Sequence, residues 1–126
     1  ENVMGLAFAE SKGASEVIFP NLEGNICEGS GSNIFLVVDG VVVTPPLTSG
    51  CLAGITREVL IERAGVQERD LPVEALFDGT VTEAFLTSSL REIQAISHVD
   101  DVPLKETFSP LVEEMLGHFG SAKEEY

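Results

Sequence analysis

The stretch "NIFLVVDGVVVTPP", Asn33 to Pro46, constrains the fold more than any other part of the chain. Asp39-Gly40 stands between two runs rich in β-branched residues. Such a pair adopts the left-handed backbone that a tight turn needs, and β-branched side chains suit a pleated surface, so the segment predicts an antiparallel hairpin. Pro45-Pro46 ends it, because proline has no amide to give to a ladder. Just upstream, "CEGSGS" (Cys27 to Ser32) sets one carboxylate, Glu28, against a glycine-serine turn that feeds the apolar strand. Small residues there admit close approach, either of another segment or of a small ligand.

The rest of the chain mixes strands and helices. "ENVMGLAFAESKG" reads as a helix: Val3 and Ala7, then Met4 and Phe8, are four apart, Asn2 is a candidate cap, and Lys12-Gly13 is a stop. A chain that opens directly on such a segment, with no initiator methionine, reads as part of something longer. "EVIF" and "NIC" are short strands around a "PNLEG" turn. "TSGCLAGITREVLIERAG" moves from a Gly/Ser loop into a helix from Ile55 to Ala64, closed by Gly65, with Ile55, Val59 and Arg63 on one stripe. "LPVEALFDG" is a second short helix with Pro72 in its first turn. "EAFLTSS" is a strand ending in hydroxyl residues, "EIQAISHVDD" the strand after it, and "SPLVEEMLGHFG" a helix capped by Ser109, with Pro110 first and Gly120 past its end. No repeat, linker or second domain is visible. The order β-β-β-α-α-β-β-α predicts a single α/β or α+β domain.

Composition removes whole classes of function. Seven basic against 21 acidic side chains give a net charge of −14, which argues against nucleic acid or an anionic membrane surface as partner. The longest apolar run is broken by Asp39-Gly40 and is too short to span a bilayer, and no leader of charged-then-apolar type is present. Two cysteines, Cys27 and Cys51, are too few for a disulfide framework; free thiols fit a reducing compartment, so the expected location is cytoplasmic.

Three turns carry small polar residues where elements begin or end: Glu28 to Asn33, Leu52 to Thr56, and Thr87 to Ser89. The second opens a helix with Gly54 and carries Thr56 in the first turn. Free N–H groups, the helix dipole and a hydroxyl there make an anion site, which Ser88 and Ser89 could complete as a phosphate cup. Ordinary capping explains any one turn alone. "GSGSN" lacks the third glycine and following helix of a dinucleotide fingerprint, and no Gly-Lys-Ser/Thr follows for a P-loop. Glu28, if it faces a cleft, pairs naturally with a cation or a protonated ring nitrogen; among 21 acids it also reads as an exposed strand-end residue. His98 and His118 have no metal-ligand spacing to each other or to the cysteines, a Cys51–His98 hydrolase has no local support, and the acid pairs Glu113-Glu114 and Glu124-Glu125 read as solvated faces.

Taken in order, "EGSGSNIFLV", "TPPLTSGCLAGITREVL" and "EAFLTSSLREIQAI" resemble the fold-type-IV pyridoxal-phosphate enzymes, the class IV aminotransferase family. That family contains branched-chain and D-amino-acid aminotransferases and 4-amino-4-deoxychorismate lyase. The resemblance runs from "ENVMGLAFAESKGASEVIF" to the strand after Ser89, and implies the family's C-terminal domain, a mixed sheet or pseudo-barrel with flanking helices. It implies that Glu28 binds the pyridine nitrogen of pyridoxal 5′-phosphate and keeps it protonated, the state in which the ring is the better electron sink. Gly54, Ile55 and Thr56 would hold the phosphate, Ser88 and Ser89 would finish the cup, Leu52 would pack on the ring face, and Asn33 would brace the turn.

The same resemblance places the Schiff-base lysine just upstream of Glu1 and a missing N-terminal domain before it. Lys12, Lys105 and Lys123 match none of the lysine's positions. The expected partners are that domain, a second subunit of a homodimer and a small-molecule substrate, and the chain alone should not catalyse. "TSSLREIQAI" and "GCLAGITR" look most like the lyase branch, which gives 4-aminobenzoate and pyruvate from aminodeoxychorismate. Many aminotransferases of the family carry proline where this chain has Gln94-Ala95, and Gly-Thr-Ala where it has Ser88-Ser89-Leu90. An amino-acid aminotransferase is the companion reading. A non-catalytic module that kept the fold is the rival from a different class.

Overall fold

The computed structural model describes residues 7–11, 14–88, 93–104, 109–115 and 117. Asp39 and Gly40 both have left-handed backbone, with φ of 51° and 75°, and Val38 pairs with Val41 across them. The Asp-Gly hairpin therefore forms where the sequence places it, between β4 (Ser32–Val38) and β5 (Val41–Thr44). The other strands are β1 (Ala7–Ser11), β2 (Ala14–Pro20), β3 (Ile26–Gly29), β6 (Gln67–Glu68), β7 (Glu83–Ser88), β8 (Ile93–Ala95), β9 (His98–Val99) and β10 (Val102–Pro103). Helix α1 spans Ile55–Ala64 and ends at Gly65, whose φ of 71° makes the left-handed cap.

The strands form one mixed sheet, ordered β10-β9-β1-β2-β3-β4-β5-β6, with β7 lying along β4 and β8 along β7. Only β5 and β6 pair in parallel among the described strands. Strand β4 is the hub. It pairs with β7 from Ser32↔Ser88 to Val37↔Glu83, with β5 at its end, and with β3 at Gly29↔Ser32. Every β4 residue is buried, because both of its faces are covered. Ile34, Leu36 and Val38 join Ile18, Ile26 and Leu86 in one core. Phe35 and Val37 join Phe85 with Val59 and Leu60 of α1 in a second core. Phe35 and Phe85 are opposed across the strands and stack with ring centroids 5.0 Å apart. The result is the expected mixed α/β fold, dominated by sheet and with few helices.

Four local expectations need correction or refinement. Ala7–Ser11 is a strand, not part of a helix, and pairs with β2 from Ala7↔Ile18 to Ser11↔Ala14. A spacing of four is also a multiple of two, so the Met4/Phe8 and Val3/Ala7 pattern suits a strand equally, and the free edge of β2 decides the matter. Asn2, Val3, Met4, Lys12 and Gly13 themselves lie outside the described residues. Second, the buried positions of α1 are Thr56, Arg57, Val59 and Leu60, whereas Ile55 is 67% exposed and Arg63 is also on the outside. Third, the short helix after Leu71 is a 3₁₀ turn, Val73–Leu76, that Pro72 precedes rather than begins. Fourth, "EIQAISHVDD" breaks at Ile96-Ser97 into β8 and β9.

Ser109 caps the last helix as expected: its Oγ accepts the Val112 N–H at 3.3 Å, and residues 110–115 are helical. Gly120, His118, Lys105 and Lys123 lie outside the described residues. Among the described residues no helix is long and apolar enough to cross a membrane.

Candidate functional site

The three polar turns of the sequence converge. Strands β4 and β7 present Ser32, Asn33, Thr87 and Ser88 to one side of a cavity of about 310 Å³. The loop before α1 and its first turn present Leu52, Gly54, Ile55 and Thr56 to the other. Pairing fixes the first wall, since Ser32↔Ser88 and Asn33↔Thr87 are opposed across the ladder. Helix geometry fixes the second. The first intrahelical bond is Glu58 N–H to the Gly54 carbonyl, at 3.1 Å, so the amides of Ile55, Thr56 and Arg57 have no acceptor within the helix. No side chain caps them at Gly54. Thr56, 4% exposed, puts its hydroxyl beside them.

Two side chains tie the walls together. Asn33 Nδ2 donates to the Leu52 carbonyl at 2.8 Å, and Leu52 N–H donates to Glu28 Oε1 at 2.8 Å. Asn33 thus braces the turn, and its Oδ1 occupies the space in which a side chain at Gly54 would stand. Glu28 is half-buried at the rim rather than among the lining residues; with Oε1 taken by Leu52, its Oε2 has no partner among the described residues. Leu52 is 52% exposed and, with Ile55, forms an apolar lip at the mouth of the cavity.

Of the residues singled out by sequence, Leu52, Gly54, Ile55, Thr56 and Ser88 line one cavity, Glu28 borders it, and Ser89 lies outside the described residues. Ser32 and Thr87 also line the cavity: both fall within the polar turns seen in the sequence, yet sequence reasoning assigns neither to a ligand. Both hydroxyls are buried and have no partner among the described residues. The hydroxyl triplet flagged Thr87 as a residue of interest, but only the β4–β7 register tells which face it takes. Behind the same strands, Glu16, Ser30, Ser32, Ser88 and Gln94 line a smaller polar hollow of about 140 Å³.

The thiols stand apart from this chemistry. The Cys27 thiol lies 3.4 Å from the Ser49 carbonyl, and Ser49 Oγ donates to its sulfur at 3.7 Å. Burial pushes Cys27 above the usual thiol range, the Ser49 hydrogen bond opposes this, and Glu28 next in sequence adds to the rise. Cys51 faces the Pro45 and Pro46 carbonyls at 3.7 and 3.6 Å, while His98 in β9 contacts Ser97 Oγ at 3.1 Å, so nothing joins the two into a hydrolytic pair. Among the described residues, no group of three or more His, Cys, Asp or Glu is placed to hold a metal.

Comparison with known proteins gives the arrangement a family. The model of amino-transferase class IV matches residues 1–99. The branched-chain-amino-acid aminotransferase of Salmonella typhimurium is 38% identical over 103 residues, which cover 78% of this chain and 33% of the relative. The chain therefore spans about a third of the length of the curated relative it matches there. Among solved structures, a putative 4-amino-4-deoxychorismate lyase from Legionella pneumophila superposes with a TM-score of 0.77 and 28% identity, over 86% of this chain and 41% of that one. A putative branched-chain amino acid aminotransferase from Thermotoga maritima gives 0.74 and 36%, over 84% and 40%. A further branched-chain amino acid aminotransferase, from T.th. and complexed with N-(5′-phosphopyridoxyl)-L-glutamate, gives 0.71 and 31%, over 86% and 38%. With its three polar turns gathered on one cavity and a family model matching most of its length, this chain belongs to the class IV amino-transferase family.

Proposed function

We propose that the chain is the C-terminal, cofactor-binding part of a pyridoxal 5′-phosphate enzyme that acts on the amino group of a small molecule. One observation carries the reading: a helix N-terminus whose first amides have no partner among the described residues, with its own hydroxyl, Thr56, stands across a cavity from the hydroxyl-bearing end of β7, and the rim holds a carboxylate, Glu28. The residues fit the group. A volume of about 310 Å³ suits a small aromatic phosphate. The amides of Ile55 to Arg57 and the Thr56 hydroxyl would grip its dianionic end, with Ser88 and Ser89 opposite. Glu28 Oε2 would accept from the ring nitrogen, and the apolar Leu52 would cover the ring face and exclude water. When bound, the cofactor supplies an electron sink that stabilises negative charge at the substrate's α-carbon.

The Schiff-base lysine and the N-terminal domain belong, in this reading, to the two thirds of the relative's length that this chain does not cover; the cavity lining holds no lysine among the described residues. A homodimer and a cytoplasmic location, the latter in keeping with the free thiols of Cys27 and Cys51, are parts of the same proposal. The reaction is amino transfer between an amino acid and a keto acid, as in the names of the curated relatives. A second reading, 4-amino-4-deoxychorismate lyase, is favoured by Ser88-Ser89-Leu90 and Gln94-Ala95 and by the likeness to the Legionella structure.

The test uses the full-length protein. It should retain pyridoxal 5′-phosphate through dialysis and show the visible absorbance of the bound cofactor. Glu28→Gln keeps an acceptor for the Leu52 N–H but loses the negative charge; it should weaken cofactor retention about 10- to 100-fold, the worth of one charge-assisted hydrogen bond. Amino transfer from an amino acid with no 4-aminobenzoate from aminodeoxychorismate selects the first reaction, and the reverse selects the second. A protein that neither holds the cofactor nor runs either reaction is the non-catalytic module, and the proposal falls.

A further inference from the structure

Thr87 is 2% exposed and lines the main cavity, and its buried hydroxyl has no hydrogen-bond partner among the described residues. Its direction follows from strand alternation. Thr87 is opposite Asn33, and two residues on, Phe85 is opposite Phe35. Residues two apart share a face, so Thr87 and Asn33 stand on the face where the Phe35–Phe85 stack meets Val59 and Leu60 of α1. Thr56 lies one turn of α1 before Leu60, above that end of the strand pair. Asn33 on the same face is already committed, through Nδ2 to Leu52 and through Oδ1 against Gly54. Thr87, whose hydroxyl has no partner among the described residues, lines the cavity on this same face, the one covered by α1.

Ser32 is the other orphan, but it behaves differently. It pairs with Ser88 on the opposite face, where its Oγ lies 2.5 Å from the position of a Cβ at Gly29, and it also borders the smaller hollow. Its Oγ packs against Gly29 on the face away from α1, whereas Thr87 stands on the face that α1 covers.

We infer that Thr87 is a ligand-binding residue of this site: its hydroxyl donates a hydrogen bond to the anionic end of the bound ligand, from the floor of the cavity, while the α1 amides and Thr56 hold the same group from above. This rests on the phosphate reading of the cavity given above. A buried hydroxyl with no acceptor is a lost hydrogen bond in the free protein, and an oxyanion between the strand end and the helix start satisfies it and the helix amides together. Valine at 87 has the same shape without the donor; serine keeps the donor.

The experiment measures binding of pyridoxamine 5′-phosphate and of pyridoxamine, its phosphate-free counterpart, to the full-length protein by calorimetry, in wild type, Thr87→Val and Thr87→Ser. Thr87→Val should lose about 10-fold in affinity for pyridoxamine 5′-phosphate, with no change for pyridoxamine, and Thr87→Ser should stay within about 3-fold of wild type, the context scatter of a single hydrogen bond. Equal affinity of Thr87→Val and wild type for the phosphorylated probe overturns the inference. So does an equal loss for both probes, which would place Thr87 on the ring, or an equal loss in Thr87→Ser, which would make it a packing residue. A wild type that binds the two probes equally refutes the phosphate reading itself, a separate outcome. Matching melting temperatures for the three proteins check that the fold is intact.

Discussion

Gly54→Ala tests the architecture of the site without reference to any ligand. Gly54 has φ −71° and ψ 152°, a backbone that alanine adopts without strain, so the substitution acts through its methyl group alone. That methyl collides with Asn33 Oδ1 and comes to 3.6 Å from Asn33 Cγ. Asn33 is buried and anchored in the β4–β7 ladder, so the side chain must rotate away and release the Leu52 carbonyl. Leaving a buried amide unpaired costs about 1–3 kcal/mol. Against this, alanine restricts the unfolded chain and stabilises by about 0.4–1 kcal/mol. The net expectation is a destabilisation of about 1–2 kcal/mol, read as a lower urea midpoint with an unchanged slope. In an Asn33→Ala background the same methyl enters vacated space, and Gly54→Ala should be near neutral, the unfolded-chain gain opposing alanine's poorer helix-cap preference. A double-mutant cycle therefore returns a coupling of about 1–2 kcal/mol. If Gly54→Ala destabilises both backgrounds equally, glycine is not there for Asn33, and the account of how the loop is seated on β4 is wrong.

Two other perturbations probe the surroundings. Phe85→Ala removes one ring of the fully buried Phe35–Phe85 stack and should cost about 3–5 kcal/mol, a large part of a domain's stability, whereas Phe85→Leu should cost much less; equal, small effects in a denaturation series would show that the α1 side of the sheet is not a packed core. Cys27 is held above the usual thiol range chiefly by burial, so on alkalinisation the unfolded thiol loses its proton first and the folded state binds more protons. Stability is therefore intact below the usual thiol range and falls as pH rises through the elevated one; urea midpoints should decline there in wild type and stay flatter in Cys27→Ala, and parallel profiles would refute the assignment.

What the residues reveal of themselves is local. Asp39-Gly40, the Gly54–Gly65 frame of α1 and the Ser109 cap each carry their conformation within a few positions, and each stands where the sequence puts it. Ala7–Ser11 does not, because its spacing satisfies two periodicities and the deciding hydrogen bonds come from β2. The break at Ile96-Ser97 is likewise tertiary: Ile96 is buried in the first core, so the chain turns inward and resumes pairing at His98 with β1 instead of β7. The three polar turns are legible as candidates one by one. Their meeting is not, because it depends on the registers Ser32↔Ser88 and Asn33↔Thr87, which no spacing in the chain encodes. Thr87 shows the gap: two adjacent hydroxyl residues on a strand look alike in sequence but take opposite faces of it in space.

The same registers explain how a loop of small residues keeps a fixed shape. Leu52 lies between the 3₁₀ turn at Leu47–Ser49 and α1, without secondary structure of its own. Its carbonyl is held by Asn33 and its amide by Glu28, side chains 19 and 24 positions away in sequence and rooted in β4 and β3. Both backbone polar groups of Leu52 are thus fixed by side chains of the sheet. Glu28 gains a direction from the same bond: with Oε1 engaged, the carboxylate cannot swing freely to solvent, and Oε2 is set relative to Leu52. One carboxylate at the end of β3 thus orders the apolar lip of the cavity through the amide of Leu52.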